Sequence, residues 1–166
     1  MAYNLLKGKK GLIFGALNEQ SIAWKVAERA VEEGAEIVLT NTAVSIRMGT
    51  IGRLAEKCNT IVVPADATSV EDLENLIDKT MEHFGGKFDF MLHSIGMSPN
   101  VRKGRTYDDL DYDYLSKTLD ISAISFHKAI QVARRKDAIN DWGSIVALSY
   151  ICLLYTSPSP RDMRRS

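Results

Sequence analysis

Short apolar runs alternate along this chain with longer stretches in which apolar residues recur every third or fourth position. Gly11–Ala16 (GLIFGA), Glu36–Thr40 (EIVLT), Thr60–Pro64 (TIVVP), Phe88–His93 (FDFMLH) and Ser144–Ser149 (SIVALS) read as strands. Consecutive apolar residues, rather than strict alternation, mark strands covered on both faces. A helix is predicted over Ser21–Glu33, with Ser21 as N-cap, a stripe of Ile22, Val26, Ala27 and Ala30, and Gly34 as its stop. A second helix is expected from Ser45 to Lys57. A third runs from Ser69 to His83, opening on the capping-box pattern Ser69-x-x-Asp72 and closing at Gly85-Gly86. After the fourth strand a polar loop spans Ser94 to Asp111, and a long helix follows from Tyr112 to Arg135. Such alternation predicts right-handed βαβ units in an α/β fold, a doubly wound and mostly parallel sheet in three α/β/α layers. An α+β arrangement is the alternative.

Composition narrows the class. The 166 residues are 45% hydrophobic and 25% charged, as in one globular domain. A chain of this length buries roughly two-thirds of its unfolded surface, enough for a core. Formal net charge is zero, which argues against a nucleic-acid binder. No apolar run approaches the roughly 18 residues of a membrane span. The N-terminus lacks the apolar stretch and cleavage site of a secretory signal. Cys58 and Cys152 form neither a disulfide framework nor a metal-ligand cluster, so a reduced, cytoplasmic protein is expected.

In a doubly wound sheet the ligand binds beyond the carboxyl ends of the strands. Strand one leads through Gly15-Ala16-Leu17-Asn18-Glu19-Gln20 into Ser21-Ile22-Ala23. The exposed N–H groups and dipole of a helix start favour a pyrophosphate there. Gly15 lets the backbone approach, Ser21 offers a hydroxyl, and Ala23 is small enough for tight packing. The turn is not a G-x-G-x-x-G fingerprint, and an ordinary capped turn is the plain reading of this stretch. Strand two ends in Thr40-Asn41-Thr42 without the acid that usually takes a ribose hydroxyl, so NADH and NADPH are not distinguished here. Arg47 is either a 2′-phosphate partner or a solvated helix residue. Asp66, after strand three, either bonds an adenine amino group or caps the next helix. His93, at the end of strand four, is either a base or a structural histidine.

Taken together, FGALNEQSIAW, PADATSVEDL, DFMLHSIGMSPN, LDISAISFHK and SIVALSY resemble the NADH-dependent enoyl-acyl carrier protein reductases of bacterial fatty-acid synthesis, divergent members of the short-chain dehydrogenase/reductase superfamily. The resemblance covers residues 1 to 151. Its telling features are the six-residue step from Gly15 to the Ser21-Ile22-Ala23 triplet, and His93-Ser94-Ile95-Gly96 where most of the superfamily has an Asn-Ala-Gly turn. It implies a Rossmann-like sheet, first five strands only, in the order 3-2-1-4-5. It implies that Gly15, Ser21 and Ile22 hold the pyrophosphate end of NADH, Thr42 the adenosine ribose side, and Asp66 and Ala67 the adenine. Ser94, Ile95 and Gly96 would line the ribose and nicotinamide, Ser98 the acyl substrate, and Tyr150 would be the first of two active-site tyrosines. The implied reaction is hydride transfer from NADH to C3 of a trans-2-enoyl thioester carried by acyl carrier protein. A donor and a cation would stabilise the enolate. A homotetramer is implied, with no nucleic-acid or membrane partner. Another short-chain reductase acting on 3-oxoacyl substrates, and a non-catalytic NAD-binding module, are the alternatives.

The same resemblance implies a second Tyr ten residues after the first and a Lys seven beyond that. Position 160 is Pro, and Tyr155 is followed seven residues later by Asp162, so the Tyr-x6-Lys pair is missing. Pro158 and Pro160 also forbid the helix that would carry it. Residues 1–151 are therefore expected to be a truncated dinucleotide-binding domain. Residues 152–166 are expected to be a disordered, non-native tail resembling translated vector sequence, with a recruitment tail as the alternative reading. The chain is accordingly expected to be inactive.

Overall fold

The computed structural model describes residues 2–149. Tyr150 and the segment 152–166, singled out above, lie outside the described residues. Five strands form one parallel sheet in the order β3-β2-β1-β4-β5. They are β1 (Lys10–Phe14), β2 (Glu36–Asn41), β3 (Val62–Pro64), β4 (Phe88–His93) and β5 (Ile139–Ala147). This is the doubly wound sheet expected from the alternating pattern, in the Rossmann-like strand order that the family resemblance implied.

Each crossover lays a helix on one face of the sheet. On one side lie α1 (Ile22–Glu32), α2 (Ala43–Met48) and α3 (Ile51–Cys58). There Trp24, Ala27 and Leu54 pack on Ile13, Ile37 and Leu39. On the other side lie α4 (Val70–Phe84) and α7 (Ser125–Arg135), whose Leu73, Ile77 and Val132 meet Leu12, Phe14 and Met91. Leu12, Ile13 and Phe14 alternate between the two cores, as a strand's period of two demands. All three are essentially buried.

Register sets up the functional end. Phe14 pairs with both Thr40 and His93, and Asn41 pairs with Pro64. The chain thus leaves β1, β2, β3 and β4 at one level, on one edge of the sheet.

The helices depart from expectation in three places. The helix expected over Ser45–Lys57 is two, α2 and α3. Thr50 donates its N–H to the Leu17 carbonyl at 3.0 Å instead of continuing a helix, and a β-carbon on Gly49 would stand 2.6 Å from that same oxygen. The loop after β4 contains α5 (Pro99–Arg102), started by Ser98 as N-cap with Pro99 in the first turn, and a 3-10 turn at Tyr107–Asp109. The long helix is α6 (Tyr112–Leu119), a π-helical turn (Asp120–Ile124) and α7 in sequence. Strand β5 starts earlier than the pattern suggested, with a pairing irregularity between Phe88 and Phe90, and Trp142 takes a φ of 64°.

Candidate functional site

A cleft of about 440 Å³ opens at the carboxyl ends of the strands. Its wall is built from the first residues after each strand: Gly15 and Leu17 after β1, Thr42 and Ser45 after β2, Asp66 and Thr68 after β3, and Ser94 to Met97 after β4. Asn41, Arg102 and Ile121 complete it together with Val44.

Gly15 forms the tightest point. Its φ is +88°, its N–H donates to the Thr40 carbonyl at 3.0 Å, and a β-carbon there would stand 2.0 Å from the Ser94 carbonyl oxygen. Only glycine permits the β1 and β4 turns to approach this closely. Asn41 links the next two turns. Its Nδ2 donates to the Ala16 carbonyl at 3.0 Å, and its Oδ1 accepts the Thr42 N–H at 2.8 Å. Thr42 is the N-cap of α2: its Oγ1 accepts the Ser45 N–H and donates to Ser45 Oγ at 2.9 Å.

Asp66 is not the cap of α4. That place belongs to Ser69, whose Oγ accepts the Asp72 N–H at 3.2 Å. Asp72 does not return to Ser69 as a reciprocal capping box would; its carboxylate accepts the Asp66 N–H at 2.8 Å. Asp66 Oδ1 accepts from the Thr68 N–H and hydroxyl at 2.9 and 2.8 Å, closing a small turn. Among the described residues Oδ2 has no hydrogen-bond partner.

Gly15, Thr42, Asp66, Ser94, Ile95 and Gly96 therefore come together around one cleft, as the position of the strand ends leads one to expect. Four residues named with them do not line it. Ser21 precedes α1 without a side-chain cap bond; its hydroxyl donates to the Asn18 carbonyl at 2.7 Å and accepts the Leu17 N–H at 3.2 Å. The Ile22 side chain is 63% exposed and faces a second groove beside Val26 and Leu148. Ala67 is buried in the core under α4. Ser98 caps α5, accepting the Val101 N–H at 3.4 Å. Ser21 and Ile22 form the start of α1, whose first turn holds no acidic side chain to oppose an anion.

His93 is structural. It is buried between Phe14 and Phe126, and its Nε2 lies 2.9 Å from Ser125 Oγ. Burial holds its pKa below the usual histidine value. Arg47 is exposed on α2 and does not line the cleft. Arg102 does, and no charge pattern in the sequence marked it; the short helix nucleated by Ser98-Pro99 carries it there.

The family pattern described as Enoyl-(Acyl carrier protein) reductase matches residues 15–166. An Enoyl-[acyl-carrier-protein] reductase [NADH] FabI of Rickettsia bellii is 38% identical over 154 residues, covering 90% of this chain and 56% of the relative. An Enoyl-[acyl-carrier-protein] reductase [NADH] 1 of Rhizobium meliloti is 36% identical, over 90% of this chain and 54% of its own length. Among solved structures, the FabI-NADH complex from Alistipes finegoldii superposes with a TM-score of 0.88 at 99% identity, over 89% of this chain and 52% of that one. The chain thus spans about half the length of the relatives it matches. Fold and sequence agree on one assignment, and the chain belongs to the enoyl-(acyl carrier protein) reductase family.

Proposed function

We propose that this chain supplies the NADH-binding half of an enoyl-acyl carrier protein reductase. The observation that carries the reading is the convergence of the Gly15, Thr42, Asp66 and Ser94–Gly96 turns on one cleft, in a member of this family. The residues present fit a dinucleotide. Gly15 lets the β1 and β4 turns close against each other at the cleft wall, Gly96 borders open space, and α1 starts beside the first turn without a competing carboxylate. In this reading the N–H groups at the start of α1 hold the pyrophosphate, Asp66 Oδ2 accepts from the adenine amino group, and Ile95 backs the nicotinamide side. NADH would supply the hydride that reaches C3 of a trans-2-enoyl thioester on acyl carrier protein. Ser98, next in sequence to the cleft residue Met97, would meet the acyl chain, and Tyr150 would be the first active-site tyrosine.

The reading extends to assembly and place. Leu119 and Ile124 are 52% and 47% exposed along α6 and the π turn, a surface suited to self-association such as a homotetramer. No helix among the described residues is long and apolar enough to cross a membrane. A cytoplasmic enzyme is proposed.

The test is fluorescence titration of the 166-residue chain with NADH and, separately, NADPH, alongside a crotonyl-thioester assay. NADH binding without turnover is expected, because neither Tyr150 nor Tyr155 is followed seven residues later by Lys. Failure to bind NADH would remove the proposal. Turnover above a protein-free control would show that the Tyr-x6-Lys pair is dispensable.

A further inference from the structure

The π turn at Asp120–Ile124 interrupts a helix that otherwise runs from Tyr112 to Arg135. A π turn adds a residue to one helical turn and so rotates the succeeding residues by about 100° relative to an unbroken α-helix. Here Ser122 and Ser125, three residues apart, face the end of β4 together. Ser125 holds the strand end: its Oγ lies 2.9 Å from His93 Nε2 and donates to the Ile121 carbonyl at 2.7 Å.

Ser122 reaches the cleft loop itself. Its Oγ accepts the Met97 N–H at 3.1 Å and donates to the Met97 carbonyl at 3.2 Å. One hydroxyl thus satisfies both polar groups of a residue that lines the cleft. Among the described residues, no other side chain hydrogen-bonds the backbone of residues 94–97. The turn is held from its other side as well. Lys128 Nζ donates to Asp120 Oδ1 at 2.8 Å and to the Thr68 carbonyl at 2.9 Å, across the cleft wall that carries Asp66.

We infer that Ser122, within the π turn, is a positioning residue whose hydroxyl holds the Met97 backbone in place. It fixes the Ser94–Met97 wall without touching the ligand. The consequence for ligand binding rests on the NADH reading above. In that reading the wall meets the nicotinamide half, whereas Asp66 and Thr42 meet the adenosine half. Removing the hydroxyl therefore weakens binding of the whole dinucleotide but not of its adenylate part.

Two measurements on the 166-residue chain decide this. In the ligand-free protein, Ser122→Ala should speed hydrogen exchange of the Met97 amide at least about tenfold, as loss of a hydrogen bond worth roughly 1.4 kcal/mol would, while the Leu39 and Leu92 amides keep their protection. Ser122→Thr, which keeps the oxygen, should restore slow exchange. In titrations, Ser122→Ala should lose about 5–10-fold in NADH affinity while AMP affinity stays within about twofold. Unchanged Met97 exchange in Ser122→Ala overturns the positioning role, as does an equal loss for NADH and AMP. A wild-type chain that binds no NADH defeats the function reading alone, since the exchange experiment still decides what Ser122 does.

Discussion

At Gly15 one absent side chain lets two turns of the cleft wall meet. The residue sits at positive φ with the Ser94 carbonyl against it, so both its conformation and its space exclude a β-carbon. Gly15→Ala should cost about 1–3 kcal/mol in stability, since alanine neither adopts this φ cheaply nor fits the gap. It should also abolish NADH binding by prying the β1 and β4 turns apart. Denaturant midpoints and NADH titration would check both; a variant of unchanged stability would mean that the β4 turn yields freely. Most of the cleft wall is legible in the sequence because strand ends are chemically marked: a glycine, a short polar residue or an aspartate follows an apolar run. Asn41 carries no such distinction, although it directly follows a predicted strand, because its role lies in bonds to Ala16 and Thr42 that only the sheet register creates. Arg102 has no local signal, and the competing readings of His93 separate only once Ser125 is seen at its place; the cap reading of Asp66 falls because Ser69, which its capping-box pattern already marked, takes that position.

The elements follow the apolar pattern where burial decides and depart from it where a distant hydrogen bond decides. Strand β4 has the expected bounds because its ends coincide with the ends of burial in the sheet. The break between α2 and α3 depends on the Leu17 carbonyl, more than thirty positions away, and the π turn leaves no mark on a 3.6-residue period. Helices α1 and α3 are further joined by a charged bridge. Glu28 accepts from Trp24 Nε1 at 3.0 Å, Lys57 Nζ at 2.8 Å and Lys25 Nζ at 3.1 Å. Lys57 foremost, then Lys25 and Trp24, bring its pKa down from 4.5 to about 2. A folded-state pKa below the unfolded one means that this stabilisation is complete above about pH 4.5 and is lost as pH falls toward 2. Glu33 adds to the same slope. Burial raises its pKa, but the Leu5 and Tyr3 N–H groups and Arg29 outweigh this and hold it below the usual value. Glu28→Gln should lower stability at neutral pH by about 0.5–1 kcal/mol and flatten the acid limb of stability against pH. Urea midpoints between pH 7 and pH 3 would show it; parallel curves for both proteins would remove the bridge from the account.

At the scale of the whole molecule the two faces of the sheet are unequal. The α4–α7 side is closed over β1, β4 and the first part of β5. On the α1 side the cover stops at β1. Beyond it Phe90, Leu92, Val146 and Leu148 floor a groove of about 600 Å³, walled by Ile22, Val26 and Ala30. Val146 and Leu148 are 48% and 39% exposed, and among the described residues β5 is an edge strand. An apolar floor beside an unpaired edge combines two features that soluble proteins ordinarily cover or charge. The 166-residue chain should therefore bind a hydrophobic dye in its folded state and associate as its concentration rises. Val146→Lys places a charge on the floor of the groove at a half-exposed position, leaving the backbone pairing with Leu92 intact. It should lower dye fluorescence and shift sedimentation toward monomer with little change in the denaturant midpoint. If the parent chain stays monomeric at high concentration and leaves the dye dark, the groove is closed in solution, and the exposure of Val146 and Leu148 does not govern how this chain behaves.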